Sequence, residues 1–387
     1  MNILMISVDS LRFDKVTVHF MPVVSELAEQ GARFLNNFTV SNGSLPSHTS
    51  ILTGLYPQHH GVRANGVKVP ESVKMLPELL DHSSAGAVGC VLLDSFYGLG
   101  RGFHSYYNTS RLSRVQHILS KIGRGKYNVS KALVHFGIYD GRTRSYNDVN
   151  KDVIPWIENH DCFFMFVHYS DIHRDTFGGT KTIADKHRNY DENVKIADAA
   201  IGEIVSSLKK TNKFVDTLIV VFSDHGEMLD SSGHGKSVSD DEFHTPLIMH
   251  KPGLVPKTSV TALTRTIDIM PTILALLQKE SATDGIDLSE AMDGGEGASE
   301  VFMEAYPPYG DIKAVRTSQW KFVLEDGTKE YLYDMAHDSE KVNIAEKNKS
   351  TAQRLKTKLK RHFKLPFSQQ EMDELTKERL KGLGYLD

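Results

Sequence analysis

Residues 216–225 read DTLIVVFSDH: an apolar, β-branched run of strand length that stops abruptly at an acid and an imidazole. A strand with one face in water alternates apolar and polar residues. A run this uniform is the pattern of a central strand in a parallel sheet, covered on both faces. Two other segments repeat the design. NILMISV (2–8) ends in Asp9-Ser10, and CFFMFVHY (162–169) ends in Ser170-Asp171-Ile172-His173. Helical patterns separate the three: PVVSELAEQGARFLNNF (22–38), VNKDVIPWIENH (149–160) and NYDENVKIADAAIGEIVSSLKK (189–210). Strands alternating with helices over this length predict an α/β protein, with a large doubly wound, mostly parallel sheet flanked by helices. Ligands of such sheets bind outside the carboxyl ends of the strands. The three acidic or histidine-bearing strand ends, distant in sequence, are therefore expected to converge on one edge.

After Pro252 the texture changes. RTIDIMPTILALLQK (265–279) continues the helical pattern, and the acidic, glycine-rich stretch 280–298 reads as a linker. Short strand-like runs follow (EVFMEAY, IKAVRTSQWKFVLE and KEYLYDM), then a helix, TAQRLKTKLKRHF, and a tail ending KGLGYLD. The expected organisation is a catalytic domain over 1–290 and a small C-terminal α+β subdomain over 291–387, built from an antiparallel sheet and a helix.

The chain has 387 residues, 40% of them hydrophobic and 24% charged, with a net charge of −4. That balance excludes the basic footprint of a nucleic-acid or anionic-membrane binder, and the lysine-rich run KLKRHFK reads as a solvated helix face. No stretch approaches the roughly eighteen apolar residues of a membrane span. The N-terminal apolar run lacks the flanks of a signal peptide, so a cytoplasmic location is expected. Cys90 and Cys162 both sit in apolar stretches and read as buried thiols rather than a disulfide.

Asp9, Asp224 and His225 have the composition of a divalent metal site. Two carboxylates with one imidazole suit Mn, Mg or Zn better than an all-oxygen Ca cage. The candidate nucleophile is Ser44, in SNGSLPSHTSILTGLYPQHHG (41–61). A serine hydroxyl needs a base or a metal to become nucleophilic, and Ser44 as a fourth ligand would meet that need. The following segment has helical spacing, with Ser47 as a cap, Ser50 as packing and His60 as a brace. His173, His234 and Lys236 can neutralise the oxygens of a tetrahedral oxyanion, and a histidine can protonate the departing alcohol. His59, His104, His168, His244 and His250 are read as structural.

With these residues assembled, the chain resembles the sulfatase family of the alkaline phosphatase superfamily. The matching segments are ISVDSLRFD, SLPSHTSILTGLYPQHHGV, FVHYSDIH, VVFSDHGEMLDSSGHGK, HTPLIMHKPG, TIDIMPTIL and the closing LKGLGYLD. The resemblance implies that Asp9, Asp224 and His225 hold the metal, that Ser44 is the nucleophile, and that His173, His234 and Lys236 hold the sulfuryl or phosphoryl group. Family sulfatases carry Cys or Ser followed by x-Pro-x-Arg, the signal for oxidation to formylglycine. Here Ser44-Leu45-Pro46-Ser47 is followed by His48, which leaves an unmodified alkoxide and a formylglycine as two forms of the nucleophile. Asp9-Ser10 stands for the Asp pair of Ca-dependent members and His225 for their Asn, which moves the expected ion among Mn, Zn, Ca and Mg toward Mn or Zn. The Lys-x-His pair of arylsulfatases is missing; the corresponding stretch offers only Arg101 and His104.

The leading expectation is a metal-dependent sulfate ester hydrolase. Its alternative is a phosphate mono- or diester, or phosphonate ester, hydrolase using unmodified Ser44. A third reading is a non-catalytic member that binds an oxyanion. The expected partner is a small-molecule or saccharide sulfate or phosphate ester, selected by residues 105–150, where Arg and Lys interleave with Tyr. Nucleic acid and membrane are not expected partners, and the sequence carries no signal of oligomeric state.

Overall fold

The computed structural model describes residues 1–108, 144–172, 182–230, 234–306, 310–337 and 340–364. The main sheet and its helices run, in chain order, β1 (Asn2–Val8), α1 (Pro22–Gln30), β2 (Ala32–Phe38), α2 (Ser44–Thr53), β3 (Ser83–Val88), β4 (Ser105–Tyr107), α3 (Tyr146–Glu158), β5 (Phe163–Tyr169), α4 (Ile183–Lys210), β6 (Thr217–Phe222), β7 (Leu247–His250), β8 (Thr258–Arg265) and α5 (Ile269–Leu276). Eight strands form one sheet in the order β4-β3-β5-β1-β6-β7-β2-β8. Only β7 runs against its neighbours, pairing antiparallel with both β6 and β2.

The uniform apolar runs are explained by burial on both faces. Along β1, Ile3 and Met5 enter one core while Leu4, Ile6 and Val8 enter the other. The first core is closed by α2 and α5 through Leu45, Ile51, Ile269 and Ile273. The second is closed by α1, α3 and α4 through Val24, Val153, Ile201 and Ile204. Period-two side chains on a doubly covered strand leave no polar positions to alternate.

Three sequence readings need correction. The helix expected over 22–38 stops at Gly31, and ARFLNNF is strand β2, whose Asn37 amide bonds the Thr245 hydroxyl at 3.0 Å. Paired amides in a covered strand look like a loop or helix face in sequence. Cys90 is buried, but Cys162 is exposed, in the turn that enters β5 with φ of 50°. Ser47 is not a cap: α2 begins at Ser44, with Gly43 before it.

The C-terminal elements are β9 (Val301–Glu304), β10 (Ile312–Arg316), β11 (Trp320–Glu325), β12 (Lys329–Asp334) and α6 (Lys349–His362). The strands form an antiparallel sheet in the order β12-β11-β10-β9, backed by Leu355 and Leu359 of α6. Two contacts tie this sheet to loops of the main one. The Glu304 N–H donates to the Val40 carbonyl at 3.1 Å, and the Tyr306 N–H to Asn42 Oδ1 at 2.7 Å. Lys321, with no exposed surface, pairs with Asp240 at 2.9 Å and Glu340 at 2.6 Å. A lysine is buried so fully only when paired, because an uncompensated charge there is costly.

Candidate active site

β5, β1 and β6 are adjacent in the sheet and parallel. Their carboxyl ends therefore bring Asp9, Asp224 and His225 together, as expected from the sequence. Asp9 is 1% exposed, and Asp224 and His225 have no exposed surface. His225 Nε2 lies 3.3 Å from Asp224 Oδ2 and 3.8 Å from Asp9 Oδ1. Ser44 Oγ lies 3.3 Å from the same nitrogen. His225 Nδ1 donates to the Gly226 carbonyl at 3.0 Å, which leaves Nε2 with its lone pair toward the carboxylates.

Three acceptor atoms meeting in a buried space call for a cation. Burial, and then the neighbouring Asp9, push the Asp224 carboxyl well above its usual range. The separations fit a metal as well: a four-coordinate ion with bonds near 2.1 Å holds its ligand atoms about 3.4 Å apart. A histidine that ligates through one nitrogen and donates the other to a carbonyl is the usual arrangement.

A second grouping, His48, His168 and Asp224, also lies within metal-ligand range. Hydrogen bonding argues against His48 as a ligand. Its Nδ1 donates to the Ser44 carbonyl at 2.7 Å and its Nε2 accepts from Ser7 Oγ at 2.8 Å. Both nitrogens are used, and burial, then His168, lower its pKa to about 3. His48 is a neutral brace beneath Ser44.

Other bonds fix the loop that carries Ser44. Ser44 is the first residue of α2, so the positive end of the helix dipole lies at its hydroxyl. Ser47 Oγ donates to the Asp224 carbonyl at 2.8 Å, tying α2 to the end of β6. The Leu45 N–H donates to Asn65 Oδ1 at 3.0 Å, and Asn65 in turn donates its own N–H to the Tyr306 hydroxyl at 3.1 Å. A Cβ on Gly43 would come within 2.9 Å of the Tyr306 ring, so the approach to Ser44 requires glycine there.

The far end of α2 is braced by His60, as the sequence suggested. His60 Nε2 donates to Ser50 Oγ at 2.9 Å, and Nδ1 accepts the Val62 N–H at 3.0 Å. Only the neutral ring satisfies both bonds. Burial, then His59, lower its pKa from 6.5 to about 3. A lowered histidine contributes stability that is complete above the unfolded value and lost as pH falls from there toward the folded one. Between pH 6.5 and 5 the loss is about 2 kcal/mol. Urea unfolding at pH 7 and pH 5 should show that His60→Gln, which cannot take up this proton, reduces the acid sensitivity by about that amount. An unchanged pH dependence would reject the brace as a neutral histidine.

His234 is placed beside the Asp9, Asp224 and His225 cluster, its ring 4.7 Å from that of His225. Its Nδ1 faces Glu227 Oε1 and Glu242 Oε1, each at 3.4 Å. Burial opposes its charge, but Glu227 and then Glu242 outweigh that and raise the pKa to about 9. Glu242 also accepts from the Gly235 N–H at 2.6 Å, Ser237 Oγ at 2.7 Å and Asn42 Nδ2 at 3.2 Å. It thereby joins the His234 loop to the residues before Ser44. Lys236 follows on the same loop and is exposed. His173 lies outside the described residues, as does most of the stretch 105–150. Sequence reading did not single out Glu227, Glu242 or Asn65, and it left His168 as structural. The signal available for Glu227 was its place two residues beyond His225.

The Sulfatase family model matches residues 1–279, and the chain belongs to that family. A Choline-sulfatase of Rhizobium meliloti (strain 1021) is 24% identical over 428 residues, covering 89% of this chain and 82% of the relative. Among solved structures, the phosphonate monoester hydrolase SpPMH from Silicibacter pomeroyi superposes with a TM-score of 0.72 at 22% identity, covering 95% of this chain and 96% of that one. BT4656 in complex with its substrate D-glucosamine-2-N,6-O-disulfate gives a TM-score of 0.71 at 17% identity, covering 94% and 97%. These superpositions establish the shared fold. Sulfatase-family proteins are generally metal-dependent ester hydrolases, and among the described residues no helix is long and apolar enough to cross a membrane.

Proposed function

We propose that this chain hydrolyses sulfate esters with the help of one divalent ion, Mn or Zn in preference to Ca or Mg. In this reading Asp9, Asp224, His225 and Ser44 hold the ion, and Ser44 is the nucleophile. The observation that carries the reading is the meeting of Ser44 Oγ, His225 Nε2 and the two buried carboxylates at 3.3–3.8 Å. When bound, such an ion lowers the pKa of a ligating hydroxyl and neutralises charge on the oxyanion.

The chain's own residues do the rest. Ser44 Oγ gives up its proton to water and forms a bond to sulfur as the bond from sulfur to the leaving oxygen breaks, and a histidine of the oxyanion-holding set protonates the departing alcohol. His234 and Lys236 donate to the non-bridging oxygens, and His173 joins them in the expected set. Glu227 and Glu242 keep His234 Nδ1 turned inward, so Nε2 is the nitrogen available to substrate. Water then cleaves the serine sulfate and releases sulfate. The substrate is a small-molecule or saccharide ester, in line with the choline sulfate and glucosamine disulfate named for its relatives.

A second reading, a phosphonate or phosphate ester hydrolase, is favoured by one observation. His48, at the place of the arginine that signals formylglycine, is turned into the core and braces Ser44 as a neutral ring. That supports an unmodified serine. The test is kcat/KM of the metal-loaded protein on p-nitrophenyl sulfate and p-nitrophenyl phenylphosphonate, with the intact mass of the Ser44 peptide. The sulfate ester is expected to be the better substrate. Cleavage of the phosphonate alone, with an unmodified Ser44 mass, would move the assignment to the second reading.

A further inference from the structure

His168 lies directly behind the metal cluster. In the parallel pairing of β1 with β5 it stands opposite Ser7, and successive residues alternate faces, so Ser7, Asp9 and His168 share one face. His168 has no exposed surface, and neither ring nitrogen has a hydrogen-bond partner among the described residues. A buried donor left without an acceptor is destabilising, so such a ring calls for an explanation. Its Nε2 lies 3.5 Å from Asp9 Oδ2, while the other oxygen, Oδ1, is the one that faces His225. The nearest imidazole, His48 at a ring separation of 4.9 Å, is already committed to Ser44 and Ser7.

We infer that His168 is a positioning residue for Asp9: its Nε2–H closes onto Asp9 Oδ2 and fixes the carboxylate so that Oδ1 is presented to the ion. The inference rests on the metal-site reading above. The ring acts as an outer partner of the ion and not as a ligand. A carboxylate bound to an ion on one oxygen and to a fixed donor on the other loses its freedom to rotate, and such outer partners typically contribute 10- to 100-fold to affinity.

The test is the dissociation constant for Mn and for Zn, measured by competition with a chromophoric chelator, on wild type, His168→Leu, His168→Gln and His168→Asn. The melting temperature of each stripped protein is recorded alongside. Glutamine carries an amide N–H at about the reach of Nε2, asparagine at that of Nδ1. His168→Leu is expected to bind the ion about 10- to 100-fold more weakly, and His168→Gln to recover most of the loss. Wild-type affinity in His168→Leu would overturn the inference and leave a buried water as the partner of the ring. Equal weakening in folded Gln and Leu variants would also overturn it. If His168→Leu does not fold, Gln and Asn decide: tighter binding by Gln supports the role, and equal binding rejects it. A wild-type protein that binds neither ion would overturn the metal-site reading itself.

Discussion

Ser44→Ala is expected to lower kcat/KM on the preferred ester by on the order of 10⁶-fold, the scale seen when a covalent nucleophile is deleted. The fold should be almost untouched. Ser44 is held by its backbone: its carbonyl accepts from His48 Nδ1, and the next N–H donates to Asn65. The start of α2 is locked by Ser47 on Asp224. Removing Oγ breaks none of these bonds and deletes one atom, so the stability change should stay within about 1 kcal/mol. Ion affinity should fall only modestly, because Asp9, Asp224 and His225 remain. The distinguishing result is therefore a protein that melts normally, still binds its ion and does not turn over. Substantial activity in this variant would exclude Ser44 as nucleophile and leave it as a ligand alone.

The parts of this molecule that could be read from sequence are those whose cause is local. Strands β1, β5 and β6 announce themselves because burial on both faces removes alternation, and the residues just past such runs must lie at one sheet edge. Asp9, Asp224 and His225 were legible for that reason. Strand β2 was not, because Asn36 and Asn37 break its apolar run and are satisfied by partners in β8 and beyond β6: Thr261 for Asn36, and Thr245 and Thr264 for Asn37. Lys321 reads as a surface lysine until Asp240 and Glu340 are brought to it by folding. His48 looked like a missing arginine. Its function is instead set by the helix geometry that places its ring nitrogen against the carbonyl four residues earlier. Glu242 escaped notice, and His168 was read as structural, because their surroundings are assembled from strands and loops far away in the chain.

Asp224→Asn is expected to separate folding from function in the opposite sense to Ser44→Ala. Asp9 and Asp224 are both buried and face the same histidine. Without a counter-ion, two adjacent buried carboxylates lose hydration and, secondly, repel each other, which is why the Asp224 carboxyl is driven above its usual range. An amide in place of Asp224 keeps an oxygen for the backbone N–H groups of Ser10 and His225, which donate to Oδ1 at 3.2 and 3.0 Å. It removes the repulsion, so the stripped variant should melt at or above the stripped wild type near neutral pH. With ion present the order should reverse. An ion at 100 times its dissociation constant stabilises the wild type by about 2.7 kcal/mol, whereas the variant, short of one negative ligand, should show little shift and no turnover. Calorimetry with chelator and with added Mn or Zn measures both halves of this result. A variant that is less stable when stripped yet gains the full wild-type shift on adding the ion would show that Asp224 serves the fold rather than the ion. The reversal follows from the same geometry that brings Ser44 within reach of His225. Two carboxylates this close are a liability to the empty fold, and a bound cation removes it.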